Sequence, residues 1–179
     1  MNFNSQINFD LQIQKLQSNH ISQIVRAFSL IGWQKPASIY ESYLLEQVNG
    51  CREIWLAFNK NNFVGYVTLN WQSTYPPFRN GNIPEIMDLN VLPQFQNQGV
   101  GSYLLDYAEK HSLEAGKTDI GIGVGLLQDY GAAQRLYIRR GYIPDGLGIT
   151  YNYQQVKYNE LVTADDDLVL WFTKRIKQI

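Results

Sequence analysis

Apolar and polar side chains follow two different periods along this chain, and the switches between them outline its elements. Leu11-Gln12-Ile13-Gln14-Lys15-Leu16 alternates apolar with polar, the period of a half-buried strand. Ile21, Ile24, Val25, Phe28 and Ile31 then recur at helical spacing, which predicts a helix over 21–33 with Asn19 near its start. Residues 37–48 read as a second helix, closed by Asn49-Gly50. Residues 53–58 and 63–69 are β-type runs joined by the turn Asn59-Lys60-Asn61-Asn62. The proline-rich stretch 73–84 reads as a loop, followed by a strand over 85–92. A helix over 99–114 places Val100, Leu104, Ala108 and His111 on one stripe and stops at Ala115-Gly116, where glycine can supply a left-handed cap. A strand over 119–124, a helix over 130–140, the turn Asp145-Gly146-Leu147-Gly148 and a final strand over 167–172 complete the order. Strands and helices in this alternation suit an α/β fold with helices on both faces of a mixed, twisted sheet.

With 179 residues, the chain is expected to form a single domain over 1–179. A formal net charge of −1 gives no basic stripe for nucleic acid, and the patch from Lys174 to Lys177 reads as a solvated strand end. The single cysteine, Cys51, excludes an internal disulfide framework and a multi-cysteine zinc site; it reads as a small half-buried thiol. Met1 to Ser5 has neither a basic start nor an apolar run, and no stretch approaches the roughly 18 apolar residues of a spanning helix. A cytoplasmic protein without metal, membrane or nucleic-acid partner is the expectation.

The sharpest local feature is Gln96-Asn97-Gln98-Gly99-Val100-Gly101-Ser102, lying between a strand and a helix. Its glycines let backbone approach a ligand, and the N–H groups of a first helical turn, with the helix dipole, can hold a phosphate or pyrophosphate. A plain tight turn explains the same residues. Gly99 and Gly101 lack the third glycine of a dinucleotide fingerprint, Gly121-x-Gly123 runs on to Leu126 where that glycine would stand, and no Walker lysine follows. Hydride transfer and P-loop chemistry are therefore unsupported.

From Glu85 to Tyr142, about a third of the chain, the sequence resembles the GCN5-related N-acetyltransferase (GNAT) superfamily. The family's Gln/Arg-x-x-Gly-x-Gly/Ala signature is matched by Gln96-Asn97-Gln98-Gly99-Val100-Gly101, and its Leu-Tyr-x-x-x-Gly-Phe/Tyr block by Leu136-Tyr137-Ile138-Arg139-Arg140-Gly141-Tyr142. The resemblance implies a GNAT fold of about six to seven strands, with a splayed gap between the fourth and fifth. It also implies acetyl transfer from acetyl-CoA to a primary amine of a small molecule or peptide, by direct attack in a ternary complex. Gln96 belongs to the signature, and the N–H groups of Gln98, Gly99, Val100, Gly101 and Ser102 would hold the coenzyme pyrophosphate. Leu89, Asn90 and Val91 would pair with the pantetheine arm, and Tyr137 would protonate the leaving thiolate. Gly121, Gly123 and Gly125 would widen the gap or mark a bulge. An acyl-CoA sensor without turnover, and a transferase for another acyl chain, stay open as alternatives; so does a homodimer.

Glu85 stands where some family members carry a glutamate base. In a regular strand Asp88, three residues on, would point to the opposite face, and either acid could equally be a solvated or capping carboxylate. His20 and His111 are weaker candidates for the base. Where the family often carries an asparagine, seven residues before the tyrosine, this chain has Tyr130. The runs 129–135 and 165–171 resemble a bacterial subgroup of acetyltransferases. The acceptor is expected to meet segments 32–37, 71–83 and 146–153, whose aromatics suit a cationic amine.

Overall fold

A computed structural model describes residues 10–176; the opening residues Met1 to Ser5 and Lys177 of the basic patch lie outside the described residues. In chain order the strands are β1 (Leu11–Lys15), β2 (Arg52–Asn59), β3 (Asn62–Asn70), β4 (Glu85–Val91), β5 (Asp119–Gly125), β6 (Ile143–Tyr151), β7 (Gln154–Gln155) and β8 (Leu168–Arg175). The helices are α1 (Ile21–Ser29), α2 (Ala37–Val48), α3 (Pro76–Asn80), α4 (Val100–Glu114) and α5 (Gly131–Arg139). This is a mixed α/β fold, with eight strands among the described residues against the six to seven expected. The extra count comes from the two-residue β7.

The chain forms two compact units, Met1–Asn70 with Asp88–Ala108, and Trp71–Met87 with Glu109–Ile179. In the first, the strand order is β1-β2-β3-β4, with β1–β2 and β2–β3 antiparallel. Alternation along β2 sends Ile54, Leu56 and Phe58 to the face covered by α1 and α2, where they pack with Ile24, Phe28, Tyr40, Phe63 and Tyr66. Trp55 points the other way and meets Tyr107 of α4 edge-on, at 5.5 Å between ring centroids. Helices therefore cover both faces of this unit. The stripe of α4 is as expected: Val100, Leu104 and Ala108 are buried and His111 half-buried.

In the second unit the order is β4-β5-β8-β6-β7. β4 and β5 pair in parallel through Glu85–Gly121 and Ile86–Ile122, whereas β5–β8, β6–β8 and β6–β7 are antiparallel. Glu109 ties this unit together, accepting from Lys174 Nζ at 2.6 Å, Tyr142 Oη at 3.1 Å and an Arg140 nitrogen at 3.2 Å.

Several local expectations are corrected or refined. The stretch 73–84 contains α3, because Pro76 and Pro77 fall at its first positions, where a missing N–H costs nothing. The first helix stops at Ser29 instead of 33, and Trp33 folds back to stack on Phe28 at 5.7 Å. The basic patch is a solvated strand end only in part: Arg175, which closes β8, stays largely exposed beside Asp119, whereas Lys174 is drawn in to Glu109. Cys51 is exposed, not half-buried. The turn at 145–148 is a break inside β6, where the register with β8 shifts between Pro144 and Ile149.

Candidate active site

In the first unit, β4 runs out through the buried Leu92 into the short helical turn Pro93–Phe95 and the glycine turn. Asn97 and Gly99 take positive φ values of 58° and 87°, which reverse the chain just before α4. The Gln96 side chain donates to the Val91 carbonyl at 3.0 Å and that of Gln98 to the Gln94 carbonyl at 2.8 Å. Both amides thus brace the turn, leaving ligand contact to the backbone. The Tyr103 N–H returns to the Gly99 carbonyl at 2.9 Å. The N–H groups of the preceding residues, Val100, Gly101 and Ser102, have no acceptor within the helix. A fifteen-residue helix behind them adds its dipole, so the residues fit a pyrophosphate.

The same unit holds Leu89, Asn90 and Val91, each half-buried on β4. Asp88, just before them, takes φ 42°, a left-handed value that makes the strand irregular without ending it. The opposite-face expectation for Asp88 rested on a regular strand, and at this residue β4 is not regular. Gly65 of β3 lies against the residues that follow; a side chain there would put its Cβ 2.5 Å from the Asn90 carbonyl oxygen. The Asp88 carboxylate accepts a hydrogen bond from the Tyr43 hydroxyl.

In the second unit, Leu136-Tyr137-x-x-x-Gly141-Tyr142 has a plain structural reason. Gly141, at φ 83°, is the left-handed residue that ends α5. Its N–H bonds the Ile138 carbonyl and that of Tyr142 bonds the Tyr137 carbonyl, each at 3.0 Å, which is a Schellman cap. The rings of Tyr137 and Tyr142 sit 6.0 Å apart as its apolar contact. Tyr137 is 5% exposed, and burial, helped by Tyr130, pushes its phenol well above the ordinary range. It therefore stays protonated at neutral pH, the state a proton donor needs.

Glu85 is 3% exposed, and Ser73 Oγ donates to its carboxylate at 2.5 Å while accepting the Tyr75 N–H at 2.9 Å. The glycines of β5 make room for side chains. A Cβ on Gly121 would lie 2.2 Å from the Phe78 ring, one on Gly123 2.8 Å from Trp171, and one on Gly125 2.5 Å from Tyr130. Tyr130, the departure from the family asparagine, thus lies against Gly125 and donates to Asp166 at 2.9 Å. Asp166 and Ser73 were not singled out from the sequence, since both act through partners distant along the chain. His20 Nδ1 accepts the Gln17 N–H, a local cap, and burial lowers its pKa. Among the described residues no three His, Cys, Asp or Glu side chains group as metal ligands, and no helix is long and apolar enough to cross a membrane.

Comparisons place this architecture. Residues 19–142 match the sequence model of the Acetyltransferase (GNAT) family. The chain belongs to that family, whose members are acyl-CoA-dependent N-acyltransferases. No curated protein matches it in sequence. Among solved structures, an acetyl transferase from Salmonella typhimurium that modifies the N-terminal serine of ribosomal protein L7/L12 superposes with a TM-score of 0.69, at 16% identity over 96% of this chain and 98% of that one. An N-acetyltransferase from Staphylococcus aureus Mu50 gives 0.68 at 13% identity, over 94% and 99%. An aminoglycoside 6'-N-acetyltransferase complexed with coenzyme A gives 0.63 at 17% identity, over 94% and 98%. These likenesses are of fold.

Proposed function

We propose that the protein transfers an acetyl group from acetyl-CoA to a primary amine of a small molecule or peptide terminus, by direct attack in a ternary complex. The observation that carries this is the turn 96–102, whose side-chain amides brace it while the first N–H groups of α4 lack helical partners. Those N–H groups hold the pyrophosphate, and the main chain of Leu89, Asn90 and Val91 pairs with the pantetheine arm. The neutral amine attacks the thioester carbonyl; the C–N bond forms and the C–S bond breaks. Glu85 takes the proton that the amine loses, and Tyr137 gives one to the departing thiolate. Support for the donor is the burial that keeps the Tyr137 phenol protonated. Support for the acceptor of the proton is a buried carboxylate whose Oε2 accepts from the Ser73 hydroxyl.

The similar structures are named for protein, aminoglycoside and spermidine substrates, all of them amines. The test is thiol release from acetyl-CoA with a broad amine panel, beside calorimetric titration of acetyl-CoA. Acceptor-dependent release is expected. Binding without such release identifies a sensor, and faster release from longer acyl thioesters identifies a different donor. Tyr137→Phe removes only the hydroxyl, so acetyl-CoA affinity stays and turnover falls roughly 10- to 1000-fold. Unchanged turnover would show that water or another group protonates the thiolate.

A further inference from the structure

The acetyl transfer proposed above leaves unused an open apolar groove in the first unit. It runs between α1 and α2 with a volume of about 870 Å³, and Ile21, Val25, Leu44 and Leu45 supply its apolar lining. The sequence of α2 accounts for the groove. One side of the helix is spent on the core, with Tyr40 buried and Tyr43 and Leu44 packed against the same cluster. On the adjoining side, Ala37, Glu41, Leu45 and Val48 recur at i, i+4, i+8 and i+11, a second and mostly apolar stripe. A helix that is apolar on more than one side is normally covered on each. Here Leu45 is 67% exposed and Val48 82%. Apolar surface left open and contiguous in this way marks a place of contact.

The rim on α1 is low. Ser22, Arg26 and Ser29 stand at i, i+4 and i+7, and the two serines leave room for larger side chains beside the groove. Arg26 on α1 and Glu41 on α2 are the only charged groups among the residues that line it. Both are exposed, and neither has an ion-pair partner among the described residues. One unpaired charge of each sign, set on the two rims, offers no single-sign field to a foreign partner. It does complement a copy of itself. A two-fold axis over the groove sets α1 of one subunit against α2 of the other, and the unlike pair then forms twice.

We infer that this groove is the contact face of a homodimer, in which a second copy of the chain covers it. Arg26 of each subunit meets the partner's Glu41, and the ridge of Leu45 and Val48 seats against the partner's serine rim. The contact is isologous, so a single association uses both charges and covers both ridges. It stands independently of the acetyl transfer. A helix supplied by another protein is the competing occupant, and it would leave the purified chain monomeric.

The experiment follows the mass of the purified full chain by sedimentation equilibrium. Wild type is expected to be a dimer at about 100 μM, well above a micromolar dissociation constant. Arg26→Glu and Glu41→Arg each bring like charges together twice, and each should raise the dissociation constant roughly 10- to 100-fold. Mixed in equal amounts, the two variants should pair with each other almost as tightly as wild type, because every contact between them is again between unlike charges. Both substitutions carried in one chain should restore the dimer as well. Leu45→Lys should weaken it in the same range, with no mixture to rescue it. All three side chains are exposed, so melting at a dilution where the protein is monomeric should match wild type. A monomeric wild type overturns the inference and leaves the groove to another occupant. A dimer indifferent to all three substitutions overturns it by moving the interface to another face. So does a mixture that fails to associate although both variants melt as wild type does.

Discussion

Gly65→Ala is the substitution in which a single methyl group reads out the geometry of β4. Its Cβ would stand 2.5 Å from the Asn90 carbonyl oxygen, 3.1 Å from the Val91 Cα and 3.4 Å from the Asn90 carbonyl carbon. All three atoms are backbone, so no side chain can swing away. Ordinary contact begins at 3.4 Å, and about 0.9 Å must come from moving one strand. β3 has little freedom to supply it. Gly65 is in register with Ala57 of β2, and its neighbour Val64 accepts the Leu92 N–H at 2.9 Å.

The sign of the effect decides the matter. Without a clash, alanine for glycine stabilises by about 0.4–1 kcal/mol, because the unfolded chain loses freedom. Overpacking costs about 1–3 kcal/mol, so a net loss is expected. For a chain of this size that is a fall in Tm of about 2–4 °C per kcal/mol. If Asn90 and Val91 pair with the pantetheine arm, displacing them also weakens acetyl-CoA binding several-fold. Calorimetric melting and titration measure both. A variant as stable as wild type, or more so, with unchanged acetyl-CoA affinity would refute both the close approach and the role given to this part of β4.

Further substitutions test the other assignments. Gly101→Glu sets bulk and negative charge at the first turn of α4, and acetyl-CoA affinity should drop at least tenfold while the melting temperature holds; equal affinity by calorimetry would remove the turn from the binding site. Glu85→Gln keeps an oxygen for Ser73 but cannot take a proton. Its turnover should be most depressed near pH 7 and recover towards about pH 9, where more amine is already free; a uniform loss across that profile would give Glu85 a structural role. Tyr137 carries a raised phenol pKa, so wild-type activity should show no decline from its ionisation up to about pH 10. A decline that disappears in Tyr137→Phe would contradict that burial.

What the sequence discloses depends on whether the relevant physics is local. The glycine turn was legible because its conformation is written in consecutive residues: Asn97 and Gly99 adopt positive φ, and a helix follows at once. The block ending in Gly141-Tyr142 was legible as well, and its cap explains the spacing, since the Tyr142 N–H must reach back to the Tyr137 carbonyl. Pro76 and Pro77 misled because a proline pair breaks a helix interior but suits a helix start, and the difference lies in position alone. The Tyr43–Asp88 pair spans 45 residues, and no local pattern announces it. Asp88 shows the deeper difficulty. Alternation assigns faces only where φ stays in the β region, and at φ 42° that premise lapses. Strain tends to gather where a protein must hold a group against its preference. The periodic argument therefore fails at Asp88, and only the contact of its carboxylate with Tyr43 reveals how that side chain is held.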